Sequence, residues 1–139
     1  RPYALGLQHK HLPEIQKVSG LAQPPIFNPQ VGDFYAGMTV SVPLYSHLLY
    51  NHPGQKEVFS ALAEHYKKER FITVKEAPAG GFIYAGENTG SNFLTIYVYG
   101  NEQQITVTSV LDNLGKGASG AAVQNMNIAL GLNEEIFLS

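Results

Sequence analysis

The chain has 139 residues, 44% of them hydrophobic, no cysteine, and a formal charge of −2 from 9 basic and 11 acidic side chains. That length suits one domain with a core of its own, and the balanced charge leaves no electrostatic footprint for nucleic acid or an anionic membrane surface. No apolar run approaches the roughly twenty residues needed to span a bilayer, and Arg1-Pro2-Tyr3 does not open a signal peptide, so a soluble, cytoplasmic chain is expected.

Tyr3, Leu5 and Leu7 alternate with smaller neighbours, which predicts a strand from Tyr3 to His9. A helical turn is expected after Pro13, since proline suits a first helical position and Glu14 suits the first turn. Gln23-Pro24-Pro25 interrupts the chain, and Ile26-Phe27 predicts a short strand ending at Asn28-Pro29. Met38, Val40 and Val42 alternate with Thr39 and Ser41, the pattern of a buried strand from Met38 to Leu44. A helix is expected between Pro53 and Glu69, with Val58, Phe59, Leu62, Ala63 and Tyr66 on one apolar face. Phe71 to Val74 reads as a strand, Gly86 to Gly90 as a turn, and Phe93–Tyr99 with Gln104–Leu111 as a β-hairpin.

The last thirty residues carry a small-residue loop, Asn113 to Gly120, that runs into a helix from Ser119 to Leu130 closed by Gly131. Glycines let backbone approach a neighbour closely, so a docking ligand is one reading of the loop and a plain helix start is the other. Along the helix Ala122, Val123, Met126, Ala129 and Leu130 share a face expected to be buried, and Gln124, Asn125 and Asn127 share one expected to be shown. The elements together predict an α+β domain spanning residues 1–139, with a mixed, largely antiparallel sheet and helices on one face.

Chemistry-bearing side chains gather near the start of the chain. In an extended segment His9 and His11 would point the same way, the spacing of a metal pair. A zinc site needs three or four ligands, however, and His47, His52 and His65 form no ligand cluster with them, so no metal is expected. Imidazole titrates near neutrality and is suited to moving protons; histidines without a task are the alternative. Glu14 either orients an imidazole or complements the helix dipole. Gly37 reads as a close backbone approach at a site or as an ordinary turn before a strand. Tyr35, Tyr45, Tyr50, Tyr97 and Tyr99 invite a base-stacking platform, against which the charge balance argues, and packing on a helix or a second subunit fits better.

Three segments together carry a resemblance. Asp112-Asn113-Leu114, Lys116-Gly117-Ala118 and Ala122-Val123-Gln124 stand in the order of the closing signature of the N-acetyl-gamma-glutamyl-phosphate reductase family, within the aspartate-semialdehyde dehydrogenase superfamily. His9-Lys10-His11-Leu12-Pro13-Glu14-Ile15 resembles that family's histidine segment, and Phe27 to Met38 is similar to a third stretch. The third departs from the pattern: Gln30 stands for a histidine and Ala36 for an arginine, whose bidentate fork would suit a phosphate or carboxylate.

The resemblance implies the C-terminal domain of an NADPH-dependent reductase, with the fold of the C-terminal domains of glyceraldehyde-3-phosphate and aspartate-semialdehyde dehydrogenases. The reaction implied is attack of a cysteine thiolate on the acyl phosphate of N-acetyl-glutamyl-5-phosphate, release of phosphate, and hydride reduction of the thioacyl group to N-acetyl-glutamate 5-semialdehyde. It implies His11, or else His9, as the catalytic imidazole, with Glu14 beside it. Asn113, Gly115, Lys116 and Gly117 are implied at the nicotinamide end of NADPH, and Gly37 and Lys116 at the substrate. The sheet is implied as the interface of a homodimer or homotetramer, and the helix over 116–131 as a contact with the enzyme's own N-terminal domain. No G-x-G-x-x-G fingerprint follows a strand near the start of the sequence and no cysteine is present, so the chain is expected to be an inactive fragment. The alternative is a non-catalytic dimerising or small-ligand-binding module of the same ancestry.

Overall fold

The computed structural model describes residues 1–139, which divide into two compact units, Arg1–Phe34 and Tyr35–Ser139. In the first unit the one regular element is helix α1, Leu12–Ser19, with proline in its first turn and Gly20 closing it through an N–H bond to the Gln16 carbonyl. The strand expected from Tyr3 to His9 is absent. Ala4 and Leu7 adopt φ of 52°, and the Leu7 N–H closes a turn on the Ala4 carbonyl at 2.9 Å. A strand needs a ladder partner, and this unit offers only an isolated bridge between Pro2 and Gln30, so the alternating Tyr3, Leu5 and Leu7 stay exposed. Ile26-Phe27 likewise forms no strand.

The second unit is built on four strands, β1 (Met38–Tyr45), β2 (Ile72–Glu76), β3 (Leu94–Gly100) and β4 (Gln104–Leu111), in the spatial order β1-β4-β3-β2. β1 with β4 and β4 with β3 are antiparallel, while β2 with β3 is parallel, so the sheet is mixed and largely antiparallel, as expected. The hairpin is held by the Asn101 side chain, which accepts the Gln103 and Gln104 N–H groups at 2.9 Å each. Helix α2, Gln55–Tyr66, falls inside the expected span. Its Val58, Phe59, Leu62 and Tyr66 pack on a core of Ile96, Val98 and Ile105.

Parallel neighbours need a crossover, and residues 77–93 supply it. By the alternation along β3, Thr95 and Tyr97 lie on the face opposite Ile96 and Val98, and there the crossover is tied down. Asn88 donates to Thr95 Oγ1 at 3.1 Å and to the Val110 carbonyl at 2.8 Å. The Tyr97 hydroxyl donates to Glu87 at 2.6 Å, and burial together with that carboxylate pushes the phenol up to about 12. Burial alone would raise Glu87 too, but hydrogen bonds from Tyr97 and Lys75 outweigh it and hold the carboxyl below its usual range.

Two expectations fail in instructive ways. β1 forms where expected but is not buried: it is one edge of the sheet, with Val40 44% and Val42 49% exposed. α2 packs mainly over β2 and β3, and of β1 only Leu44 joins the core beneath it. Helix α3, Gly120–Ala129, is inverted relative to its pattern. Asn127 is 1% exposed, while Met126 and Leu130 are 51% and 66% exposed. The cause is the segment beyond Gly131, which folds back along the helix. Its carbonyls at Glu134 and Ile136 take the Asn127 amide hydrogens at 3.2 and 2.8 Å, and the Gln124 amide donates to the Glu134 carboxylate at 2.8 Å. The buried Asn127 amide needs acceptors, and these carbonyls provide them.

Ile105 is 1% exposed at the centre of the core. Ile105→Ala is therefore expected to cost about 2–5 kcal/mol, whereas Leu48→Ala, at a position 72% exposed, should stay within about 0.5 kcal/mol. Urea midpoints of the two variants check the contrast, and equal midpoints would show that the core is misplaced.

Candidate functional site

In the first unit the histidine segment is a turn leading into α1. The Leu12 N–H bonds to the His9 carbonyl at 3.0 Å, and His11 occupies the N-cap position with helical dihedrals. The two imidazoles still meet, with ring centroids 4.8 Å apart, because the turn folds them together where a pleat would have aligned them. They are not equivalent. His9 is half-buried, its ring 4.9 Å from that of Phe27, and its Nδ1 accepts the His11 N–H at 3.3 Å. That bond makes Nε2 the protonated nitrogen of neutral His9. His11 is exposed. Glu14 stands exposed in the first turn of α1, where its charge complements the helix dipole. An open depression of about 510 Å³ lies beside His9, lined by Leu7, Leu12, Pro13, Gln16 and Pro24 among others.

In the second unit the chain after β4 is organised by Asp112, a residue outside the predicted site. Its carboxylate is buried, 4% exposed, and accepts three backbone N–H groups: Gly90 at 2.6 Å, Leu114 at 2.7 Å and Gly115 at 3.1 Å. Its carbonyl accepts a fourth, from Gly117 at 2.8 Å. These backbone donors hold the carboxyl below the usual aspartate range, against the opposing effect of burial. The sequence signal was available, because aspartate bonding to the N–H two residues on is an Asx-turn.

The structure brings two of the expected site residues together. Asn113 Oδ1 accepts the Gly37 N–H at 2.8 Å, joining the loop to the start of β1. Gly37 has a φ of 126°, and a Cβ there would lie 2.3 Å from the Ala85 carbonyl oxygen, so the glycine is required by the chain's own packing. Lys116 is drawn elsewhere. Its ammonium donates to Gln124 Oε1 at 2.6 Å and lies 5.7 Å from the Phe71 ring centroid. Burial lowers its pKa, against the opposing charges of Glu134 and Glu69. Gly115 and Gly117 make their closest contacts with the chain itself.

Ala36, where the pattern has arginine, is an interior position, 7% exposed, whose carbonyl accepts the Thr89 hydroxyl at 3.1 Å. It lines an open cavity of about 390 Å³ together with Thr89, Asn92, Asp112, Gly115 and Gly120. No lysine, arginine or histidine lines that cavity, so it has no side-chain cation for a phosphate. Asn92, 3% exposed, donates to Gln124 at 3.1 Å while its Oδ1 lacks a partner.

The Asp112 geometry fixes a sign for acid sensitivity. A carboxyl with a lowered pKa in the folded state contributes stability that is complete above the ordinary aspartate value of about 3.9 and lost as pH falls through the folded value. Asp112→Asn should cost about 1–3 kcal/mol at pH 7 and flatten the acid limb of stability. Urea unfolding from pH 7 down to pH 3 reads both, and a variant as stable as the parent at pH 7 would refute the assignment.

Comparison with known proteins agrees with this architecture. The sequence model of the family described as "Semialdehyde dehydrogenase, dimerisation domain" matches residues 1–113. N-acetyl-gamma-glutamyl-phosphate reductase 2 of Nostoc sp. is 45% identical over 144 aligned positions, covering 98% of this chain and 45% of that protein. The N-acetyl-gamma-glutamyl-phosphate reductases of Trichormus variabilis and Brucella ovis are 44% and 43% identical, over 98% and 93% of this chain. The chain thus spans somewhat less than half the length of these curated relatives. With the expected mixed sheet, hairpin and helices in place and the family model spanning residues 1–113, the chain belongs to the semialdehyde dehydrogenase dimerisation domain family.

Proposed function

We propose that this chain is the dimerisation and histidine-bearing part of an NADPH-dependent N-acetyl-gamma-glutamyl-phosphate reductase of arginine biosynthesis. The observation that carries the reading is the inequivalence of the two imidazoles: His9 Nδ1 is engaged by the backbone, whereas His11 is exposed at the head of α1. An exposed imidazole at a fixed helix start can take a thiol proton, later give one to the thiohemiacetal oxygen, and take it back as the thiolate leaves and the aldehyde forms. The relatives that match nearly all of this chain carry the reductase name. NADPH, when bound, supplies the hydride.

Residues of the second unit fit only a limited part of that cofactor. Asn113 Oδ1 is taken by Gly37, which leaves its Nδ2 donor for an acceptor such as a carboxamide oxygen. Lys116 is committed to Gln124, so a role for it at a phosphate requires that bond to open. The cofactor's pyrophosphate and the cysteine nucleophile are assigned to the N-terminal domain. The exposed Ala122, Met126, Ala129 and Leu130 on α3 are assigned to contact with that domain, and exposed Met38, Val40 and Val42 support a homodimer or homotetramer formed through the sheet.

His11→Asn in the full-length reductase is expected to lower kcat by roughly 10²–10⁴, and His9→Asn by less. Turnover unchanged in His11→Asn removes that imidazole from the mechanism. The 139-residue chain alone should oxidise no NADPH in the presence of the acyl phosphate, because it has no cysteine; detectable oxidation by the purified chain would overturn the assignment of the nucleophile. Equilibrium sedimentation should show a dimer or larger assembly at micromolar concentration, and a clean monomer would count against the interface.

A further inference from the structure

We infer that Asp112 is a positioning residue for the cofactor: its carboxylate sets the backbone of the turn at 113–114 and of the π-helical turn Gly115–Ser119 that it enters, and so aims the Asn113 amide. The inference rests on the reading above that Asn113 meets the nicotinamide end of NADPH. Asp112 is the last residue before that stretch, and its carboxylate joins two separate stretches of chain. Oδ2 receives the Gly90 N–H from the crossover, while Oδ1 receives the Leu114 and Gly115 N–H groups from the loop. Asn113 lies inside this turn, and its own Oδ1 is anchored on Gly37. With one amide oxygen held and the backbone on both sides clamped, the Nδ2 donor is left with one direction.

Only a short, charged acceptor meets these requirements. Asparagine would present an NH₂ group to one of the converging N–H donors, and glutamate would carry its carboxylate one methylene beyond donors now met at 2.6, 2.7 and 3.1 Å. The glycines beside it serve the same arrangement. A Cβ on Gly115 would lie 2.9 Å from the Ser91 carbonyl oxygen and 3.5 Å from Asp112 Cβ and Cγ, and one on Gly117 would lie 3.2 Å from the Asp112 carbonyl oxygen. Small residues at 115 and 117 therefore let the loop close on Asp112, a use of glycine that needs no bound ligand.

The test has two arms. In this chain, Asp112→Asn should abolish the hydrogen-exchange protection of the Gly90, Leu114 and Gly115 amides while leaving that of β3 and α2 in place. In the full-length reductase the same change should raise the KM for NADPH roughly tenfold or more, with a smaller effect on kcat. Retained protection at the three amides overturns the inference. Lost protection with an unchanged KM overturns the assignment of Asn113 to the cofactor, and the positioning role with it. If Asp112→Asn fails to fold, Gly115→Ala keeps the carboxylate and presses the same loop away from Ser91. It should give the same rise in KM, and a folded Gly115→Ala enzyme with the parent's KM would equally refute the inference.

Discussion

One buried carboxylate organises the second unit beyond its sheet. A β-strand ends by leaving backbone groups without ladder partners, and here the end of β4 coincides with the end of the crossover that precedes β3. Asp112 stands at that junction and accepts N–H groups from both sides. A charge with so little access to solvent is held by hydrogen bonds that replace its lost hydration. Its three donors do so, and the cost of losing any of them keeps the two loops together.

The rest of the unit follows from where apolar surface is covered. α2 lies over β2 and β3, and the crossover caps the opposite face of β3 through Asn88 and Glu87. β3 and β4 are consequently the interior strands, with Val98 and Val110 fully buried, while β1 is an edge whose aliphatic side chains remain in contact with solvent. α3 is held by its polar face, through Gln124 and Asn127, and turns its apolar stripe outward. Two apolar surfaces are thus left on a domain whose family is defined by dimerisation.

Local pattern was a good guide wherever burial follows from contacts within the same stretch. The amphipathic face of α2, the β3–β4 hairpin and the proline at the head of α1 all formed as their residues suggested. It misled where a distant segment decides which face is covered. The alternation in Tyr3–His9 had no strand to pair with, so local turns took over. The α3 pattern identified a helix and two distinct faces, yet the carbonyls of residues 134 and 136 selected the amide face for burial. Asp112 carries no periodicity among its glycine-rich neighbours, and only its Asx-turn chemistry marks it.

The sequence by itself determined helices α1 to α3, strands β1 to β4, the mixed α+β class, and the kinship carried by the motifs near each end of the chain. These are consequences of residue type at short spacing, where propensity, capping and turn chemistry act. Tertiary structure alone decided that Lys116 turns to Gln124, that Asn113 is anchored on Gly37, and that β1 lies at an edge. Each of these depends on which donors and acceptors are brought within about 3 Å of one another, and that distance is set by the folding of remote segments onto a shared sheet or turn.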